Sequence, residues 1–387
     1  MNILRVIASL DPRQGGPVEG LLNTTALMAQ WGHHTEILTL DPPSAPYLAA
    51  VGHKVHATGP NIGKFGFNGR LTPWIRRNAH RFDVAVLHGL WNYAPLGAWR
   101  GLAGGDLPYV QFTHGMLDPW FNTVQPIKRW AKQALWLLAQ GRVLHDAKTV
   151  LFTSEEEGLR ARTAFIGHSY AGRVVAYGAA DIPDQADEQR AAFAGKAPQL
   201  NARPYLLYLG RLHPKKGCDL LIRAFSEIAA QHPHLDLVMA GPDEGGTQAH
   251  LQVLAAENGI ADRLHWPGLL QGSAKWGAYR DATAFVLPSH QENFGMAVAE
   301  ALASGTPVLI SDKINIWREV AASGAGLVEP DTLEGTRALL TRFMALQPQE
   351  QASIGRLARA CYEKQFSLDE AARDLLRVLE WAAEAAR

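Results

Sequence analysis

The stretch that most constrains the fold is residues 288–307, which lies between two short apolar segments. Residues 284–287, Ala-Phe-Val-Leu, precede it, and residues 308–311, Val-Leu-Ile-Ser, follow it. Both segments predict buried parallel strands. Between them a polar turn leads into an Ala-rich segment of strong helix formers that ends at Ser-Gly-Thr-Pro. A strand, a loop and a helix in that order place the loop at the carboxyl edge of a sheet, where open α/β folds bind ligands.

This loop and helix carry two carboxylates eight residues apart, Glu292 and Glu300. If the helix began at once, the spacing would make about two turns and direct both carboxylates toward one ligand. Free backbone N–H groups of residues 293–296 would then suit a phosphate. The same residues also allow a purely structural interpretation, in which Glu292 complements the helix dipole and Glu300 is solvated.

The segment from Glu292 to Glu300 resembles the E-x7-E signature of the family 4 retaining glycosyltransferases, and the neighbouring Asn-Phe-Gly-Met and Ala-Leu-Ala-Ser-Gly-Thr-Pro-Val match as well. The resemblance implies a GT-B fold, an α/β architecture of two Rossmann-like domains whose parallel sheets face a central cleft. It implies that Glu292 contacts the donor sugar and Glu300 the ribose of the nucleotide. The donor-binding residues expected beside them are Asn293, Phe294, Gly295 and Met296.

A basic loop follows the strand predicted at residues 205–209, in the segment Gly-Arg-Leu-His-Pro-Lys-Lys-Gly. Cations just beyond a strand suit a diphosphate, although a solvated surface loop has the same composition. The segment resembles a second signature of the same family, which implies that Arg211 and Lys216 bind the donor pyrophosphate beside Gly210. After the strand predicted at 264–267, Leu270 lies where the family holds the base by backbone contacts.

The first half of the chain predicts strands at residues 3–10, 35–40, 84–88, 109–114 and 149–153. Gly15 and Gly16 follow the first strand, where paired glycines either form a turn or let the backbone approach a ligand closely. The resembling family has a glycine-rich loop at this point, which implies that both glycines bind the donor.

Two successive strands of the first half end in a histidine followed by glycine, at His88 and His114. Because the carboxyl ends of parallel strands share one edge of the sheet, both imidazoles are expected at that edge. The family resemblance gives His114 a role at the donor sugar. His88 and the nearby Trp91 have no such counterpart and are predicted to contact the acceptor.

A chain of 387 residues suits two domains, and its 47% of hydrophobic residues can fill two cores. We predict an acceptor-side domain over residues 1–180, a Pro-containing linker over 181–203 and a nucleotide-sugar domain over 204–365. A final helix is predicted over 366–387, and in the resembling family such a helix crosses back to the first domain. Alternating strands and helices in both halves predict parallel sheets.

The net charge of zero conceals a basic first half, with 17 Lys and Arg against 11 Asp and Glu in residues 1–180. Residues 42–82 contain no acid, and a helix predicted over 125–144 combines basic residues with tryptophan. These features suit peripheral contact with an anionic membrane as well as ordinary solvation and core packing. The sequence has no run of 18 apolar residues, no signal-peptide layout and only two distant cysteines. It therefore predicts a cytoplasmic protein, with any membrane contact on the inner face.

These patterns together predict an enzyme that moves a sugar from a UDP- or GDP-linked donor to a hydroxyl of a glycan or lipid-linked acceptor, in polysaccharide biosynthesis. The residues expected to be catalytic are His114, Glu292, Arg211 and Lys216. Retention at the anomeric carbon is implied by the resemblance alone.

No cofactor and no metal site is expected, since the family is generally metal-independent and the chain has no Asp-x-Asp motif. The basic residues form no recognised nucleic-acid module. Two alternatives stay open at the level of the sequence. One is a sugar-nucleotide epimerase with the same GT-B architecture, and the other is a catalytically silent module that binds glycan or nucleotide.

Overall fold

The computed structural model describes residues 1–119, 126–243 and 245–384, with side chains from residue 129 onward in the second range. Two compact units, each with its own sheet, make up the chain. The first comprises Met1–Tyr177 together with Leu368–Arg387, and the second comprises Gly178–Ser367.

The first unit is built on a seven-stranded sheet of short apolar strands. They are β1 (Asn2–Ile7), β2 (His34–Thr39), β3 (Lys54–Ala57), β4 (Val84–His88), β5 (Tyr109–Phe112), β6 (Thr149–Phe152) and β7 (Gly172–Val174). The order is β3-β2-β1-β4-β5-β6-β7, and all pairs are parallel. The sequence did not predict β3 and β7, which are short strands at the two edges of the sheet and have no buried residue.

Helices connect these strands. They are α1 (Gly16–Gln30), α2 (Leu71–Asn78), α3 (Tyr93–Leu102), α4 (Pro126–Leu135), α5 (Gly141–His145) and α6 (Glu155–Ala161). The single helix predicted over 125–144 is thus divided, because a π-helical turn at Trp136–Gln140 separates α4 from α5. That turn buries Trp136, whose ring stacks on Phe165 at 5.3 Å. Residue 125 lies outside the described ranges.

The second unit contains a six-stranded parallel sheet. Its strands are β8 (Tyr205–Leu209), β9 (Asp236–Ala240), β10 (Leu264–Gly268), β11 (Ala284–Leu287), β12 (Val308–Ser311) and β13 (Gly326–Glu329), in the order β10-β9-β8-β11-β12-β13. The helices are α7 (Ala186–Lys196), α8 (Cys218–Ala229), α9 (Thr247–Glu257), α10 (Gly272–Arg280), α11 (Met296–Ala303), α12 (Trp317–Ser323), α13 (Leu333–Met344) and α14 (Pro348–Cys361). The prediction of two α/β domains with parallel sheets is confirmed.

The predicted linker over 181–203 is wrong, because α7 lies within it and packs on α10 as part of the second unit. Gln189 and Phe193 of α7 are buried. At Gly277 of α10, a Cβ would lie 2.0 Å from the carbonyl oxygen of Gln189. Small residues that let two helices approach closely are also typical of linkers, which is why composition misled the sequence-based assignment.

The helix α15 (Leu368–Glu384) returns the chain to the first unit. Its apolar face, including Leu375, Val378 and Leu379, joins the core formed by residues of β1, β4, β5 and β6. Asp374 of α15 also accepts a hydrogen bond of 2.8 Å from the backbone N–H of Ala176. The first unit is therefore assembled from two separate parts of the sequence.

Candidate active site

In the second unit, the two signature loops meet through an ion pair. Lys216, which follows β8, donates to Oε1 of Glu292, which follows β11, although the two residues are 76 positions apart in sequence. Their side chains are only 14% and 15% exposed. Partial burial strengthens such a pair, because less water screens the two charges.

Close backbone packing brings these two loops together. Gly217 has a φ of 66°, and a Cβ there would lie 2.2 Å from the carbonyl oxygen of Pro288. Only glycine fits this position without displacing the backbone. The carbonyl oxygen of Lys215 also accepts hydrogen bonds from Oγ of Ser289, at 3.0 Å, and from the backbone N–H of His290, at 2.8 Å.

The loop that carries Glu292 is not the first turn of a helix, as the sequence-based interpretation assumed. Glu292 donates its N–H to the carbonyl of Lys313 at 3.0 Å and accepts at its own carbonyl from the N–H of Asn315 at 3.2 Å. Helix α11 begins only at Met296, because Gly295 takes a left-handed φ of 80° that interrupts the helix. The expected helix start at residues 293–296 is therefore wrong, and the two carboxylates do not share one helix.

The residues between Glu292 and the helix fix the shape of this loop. Phe294 is buried and packs edge-on against Phe366, with ring centroids 5.7 Å apart. Asn293 accepts a long hydrogen bond of 3.4 Å from the side chain of Asn315. The side chain of Phe294 thus serves to anchor the loop.

Glu300 lies inside α11 and is buried, which excludes the interpretation of a solvated surface charge. Its Oε1 accepts from Nζ of Lys275 at 2.5 Å, and its Oε2 accepts from the hydroxyl of Tyr279 at 3.1 Å. Lys275 and Tyr279 are four residues apart on α10, so both lie on one face of that helix. Neither residue was predicted from the sequence, although their i,i+4 spacing on one helix was a usable signal.

The remaining second-unit candidates are Arg211, Gly210 and Leu270. The side chain of Arg211 is exposed, and its carbonyl accepts from the hydroxyl of Tyr208 at 2.7 Å. Gly210 closes the end of β8 by donating to the carbonyl of Ala240 at 2.9 Å. Leu270 is buried.

In the first unit, His88 and His114 form a direct pair at the carboxyl ends of β4 and β5. Nδ1 of His88 lies 3.0 Å from Nε2 of His114, and the ring planes differ by only 13°. Phe112 stacks nearly parallel to both rings. His88 is only 3% exposed, and its hydrogen-bonding partner is His114; its contact with an acceptor stays a prediction.

Burial keeps both imidazoles uncharged at neutral pH. It lowers the pKa of His114 to about 4. Burial likewise lowers the pKa of His88 well below its usual value, and repulsion from His114 and from the buried Arg5 lowers it further. Desolvation disfavours the charged form of a histidine, which accounts for both shifts.

A buried carboxylate holds the loop that carries His114. Glu157 of α6 accepts hydrogen bonds from the hydroxyl of Thr113 at 2.8 Å and from the N–H of Gly115 at 2.7 Å. Its second oxygen accepts from the N–H and the hydroxyl of Thr153, both at 2.7 Å. These bonds support His114 in an uncommon left-handed conformation with a φ of 50°.

Tyr177, which was not predicted from the sequence, connects His114 to the paired glycines. Its hydroxyl donates to the carbonyl of Gly16 at 2.9 Å, and its ring lies edge-on to His114 at 6.4 Å. Gly15, with a φ of 72°, forms the N-cap of α1 beside it. The paired glycines, Tyr177 and the two histidines therefore form one contiguous group.

Trp91 is half-buried and differs from His88 in its surroundings. Its indole N–H donates to the carbonyl of Met116 at 2.9 Å, and its ring packs on Phe165 at 5.0 Å. Nζ of Lys132 lies 5.0 Å from the ring centroid, within the range of a cation–π contact. The indole is thus an apolar surface beside a cation.

Among residues 1–119, 126–243 and 245–384, no group of three His, Cys, Asp or Glu side chains is arranged to hold a metal ion. Within the same ranges, no helix combines the length and the hydropathy that a bilayer crossing requires.

Two family models match the chain, one in each unit. The model described as glycosyl transferases group 1 matches residues 190–360, and the glycosyl transferase 4-like domain matches residues 15–178.

Known glycosyltransferases are similar in sequence to most of this chain. The GDP-mannose:cellobiosyl-diphosphopolyprenol alpha-mannosyltransferase of Xanthomonas campestris is 26% identical over 95% of this chain and 93% of its own. The D-inositol 3-phosphate glycosyltransferase of Jonesia denitrificans is 28% identical over 76% of this chain and 71% of its own.

Solved structures with the same fold include the sucrose-phosphate synthase of Thermosynechococcus elongatus. It has a TM-score of 0.76 and 19% identity, and the match covers both chains completely. Anabaena HepE in complex with UDP and glucose has a TM-score of 0.76 and 17% identity, over 98% of this chain and all of its own.

Proposed function

This chain belongs to the family 4 glycosyltransferases of GT-B fold, and from that premise we propose that it transfers a sugar from a UDP- or GDP-linked donor to a hydroxyl acceptor. The observation that carries the proposal is the ion pair of Lys216 and Glu292, in which the diphosphate signature and the sugar signature meet. A cation and a carboxylate side by side suit the two ends of the bond that breaks in a nucleotide sugar.

The chemistry requires stabilisation of the leaving group more than a strong base. As the bond between the anomeric carbon and the diphosphate oxygen breaks, its electron pair leaves with the nucleoside diphosphate. Lys216 and Arg211 would stabilise that developing negative charge, which is the role that fixed cations fulfil best in a partly buried site. Glu292 would face the positive charge that develops on the sugar. The acceptor oxygen forms the new bond to the anomeric carbon, and its proton passes to the departing diphosphate.

The second carboxylate would bind the nucleoside. Glu300 is already oriented by Lys275 and Tyr279, one on each oxygen. Each oxygen retains a second lone pair, so the carboxylate can still accept hydrogen bonds from the two ribose hydroxyls. Leu270 would contribute backbone contacts to the base.

We propose further that the reaction proceeds with retention at the anomeric carbon, needs no metal and serves polysaccharide assembly. The acceptor would be a glycan or a lipid-linked sugar. Support for a lipid-linked acceptor comes from the Xanthomonas relative, whose name specifies a cellobiosyl-diphosphopolyprenol substrate for that enzyme.

Thermal stabilisation by a panel of nucleotide sugars tests the donor. A true donor at 100 times its dissociation constant adds about 2.7 kcal/mol to the free energy of unfolding. The best donor is then incubated with and without acceptor, in the presence of EDTA, and the anomeric configuration of the product is read by NMR. Conversion of the donor without an acceptor would identify an epimerase, and binding without turnover would identify a silent module.

A second proposal concerns the membrane, and it rests on exposed apolar residues of the first unit. Trp130 of α4 and Leu138 of the following π-helical turn are 76% and 75% exposed, and Ile166 is 75% exposed. Gln133 links α4 to Ile166 through hydrogen bonds with both backbone groups of that residue. Arg129 and Lys132 lie on the same helix. An apolar surface flanked by cations suits an anionic lipid bilayer.

The acid-free stretch 42–82 supports this proposal less than its composition suggested. Glu36 of β2 forms ion pairs with Lys54 and Arg81, so part of the basic charge is neutralised within the unit.

Co-sedimentation with anionic and with neutral vesicles at low salt tests the membrane proposal. We expect binding to the anionic vesicles alone, and its loss in the double variant Trp130→Ser, Leu138→Ser. Val253→Ser, which removes an exposed apolar side chain from the second unit, is the matched control. Wild-type protein that stays in the supernatant with anionic vesicles would refute the proposal.

A further inference from the structure

The pair of His88 and His114 leaves one ring nitrogen unused at each end. Nε2 of His88 is fully buried and has no hydrogen-bond partner. Nδ1 of His114 makes no hydrogen bond with any residue in the described ranges, and its ring is partly exposed. The 3.0 Å contact between the other two nitrogens is therefore the only polar link between the rings.

Because both rings are uncharged at neutral pH, each carries one N–H and one lone pair. The contact between Nδ1 of His88 and Nε2 of His114 must use one of each. Two arrangements satisfy it. In the first, His88 donates from Nδ1, and His114 carries its hydrogen on Nδ1. In the second, His114 donates from Nε2, and His88 carries its hydrogen on the buried Nε2.

The two arrangements differ in what they leave buried. The second encloses an N–H group at Nε2 of His88 with no acceptor, whereas the first encloses only a lone pair there. Buried N–H groups without an acceptor are rarer in folded proteins than acceptors without a donor. The first arrangement is therefore favoured, and it gives His114 an N–H at Nδ1 on the partly exposed ring.

We infer that His88 is a positioning residue, which fixes the tautomer of His114 so that Nδ1 of His114 donates a hydrogen bond to a ligand. The ligand would be a hydroxyl oxygen of the donor sugar, and this part of the inference rests on the proposed function. An uncharged N–H group suits an uncharged sugar hydroxyl, because it places no positive charge beside the sugar that the leaving diphosphate would attract.

Nitrogen-15 NMR of the complete protein labelled at histidine tests the tautomer without any ligand. The His114 resonances are assigned by their absence from the spectrum of His114→Asn. We expect a protonated, pyrrole-like Nδ1 and an unprotonated, pyridine-like Nε2 on His114. A protonated Nε2 on His114 in the wild-type protein overturns the inference, whatever the activity of the enzyme.

Two variants at His88 separate positioning from packing. His88→Asn places an amide N–H near the position of Nδ1 and so retains a hydrogen-bond donor to His114. His88→Phe retains an aromatic ring but has no hydrogen-bond donor. We expect His114 to keep its Nδ1–H tautomer in the asparagine variant and to lose that preference in the phenylalanine variant.

Kinetics of the same variants provide the second readout. We expect His88→Phe to lower kcat/KM for the nucleotide sugar about tenfold, the effect of one lost hydrogen bond. His88→Asn should recover most of that loss, and binding of free nucleoside diphosphate should be the same in all three proteins. Equal losses in both variants would mean that His88 acts through packing, and would overturn the inference. Correct tautomers in a protein that binds no nucleotide sugar would instead count against the proposed function.

Discussion

The two units hold their candidate site residues by opposite electrostatic means. In the second unit, each carboxylate of the signature is paired with a lysine, Glu292 with Lys216 and Glu300 with Lys275. In the first unit, the pair of His88 and His114 is uncharged, and Glu157 beside it accepts from hydroxyl and backbone N–H groups. On the proposed function, the charged pairs would lie where the nucleoside diphosphate binds, and the uncharged His114 would face a hydroxyl of the sugar.

Removing the positive charge of Lys216 in the second unit should lower kcat more than any other change described here. Lys216→Ala deletes a positive charge that would stabilise the leaving diphosphate, so we expect kcat to fall by ~10²–10³. Steady-state kinetics with saturating donor measure this. Lys215→Ala is the matched control from the adjacent position and should change kcat little. Equal falls in kcat in both variants would mean that the loop contributes only its overall positive charge and that Lys216 has no specific role.

Neutralising Glu292, the partner of Lys216, should lower kcat by a smaller factor. Glu292→Gln keeps an acceptor oxygen but loses the charge near the developing positive centre, so we expect kcat to fall by roughly 10- to 100-fold, as for a lost charge-assisted hydrogen bond. Affinity for free nucleoside diphosphate, measured by calorimetry, should change little. A loss of nucleotide binding that matched the loss of kcat would show that Glu292 only maintains the loop.

The second ion pair should affect binding and leave the chemical step unchanged. Glu300→Ala removes contacts made equally in the ground state and the transition state, so we expect KM for the donor to rise about tenfold at constant kcat. Lys275→Met should produce a smaller rise of the same kind, because Tyr279 still orients the carboxylate. A fall in kcat with unchanged KM in either variant would contradict this division between the two carboxylates.

The uncharged state of His114 in the first unit should be visible in how the free energy of unfolding depends on pH. The pKa of His114 is lowered to about 4 in the folded protein, against about 6.5 in the unfolded chain. Below pH 6.5 the unfolded chain therefore binds a proton that the folded state does not, and stability is lost as the pH falls toward 4. Between pH 6.5 and 5.5, we expect His114→Asn to lose about 1 kcal/mol less than the wild type in urea unfolding. Identical pH dependence would show that His114 is not held neutral.

Sequence patterns predicted local features of both units better than contacts between distant elements. The strand, loop and helix around Glu292 were predicted, but the helix start was misplaced because the left-handed φ of Gly295 interrupts it. The two histidines were expected at one edge of the sheet, because each ends a strand and the carboxyl ends of parallel strands share that edge. Their direct contact depends on the left-handed backbone at His114, which no local pattern indicates. Likewise, the partnership of Lys275 with Glu300 arises from the packing of α10 near α11, not from local sequence.

The contribution of α15 to the first unit has a consequence for synthesis on the ribosome. The strands β1, β4, β5 and β6 are translated long before the helix that covers part of their core. At 5–20 residues per second, translation of residues 178–367 delays that helix by roughly 10–40 s. Throughout this interval the nascent first unit presents an apolar surface that Leu375, Val378 and Leu379 will later cover. Transiently exposed apolar surface makes a nascent chain prone to aggregation. The first unit completes its folding only after the second has been made.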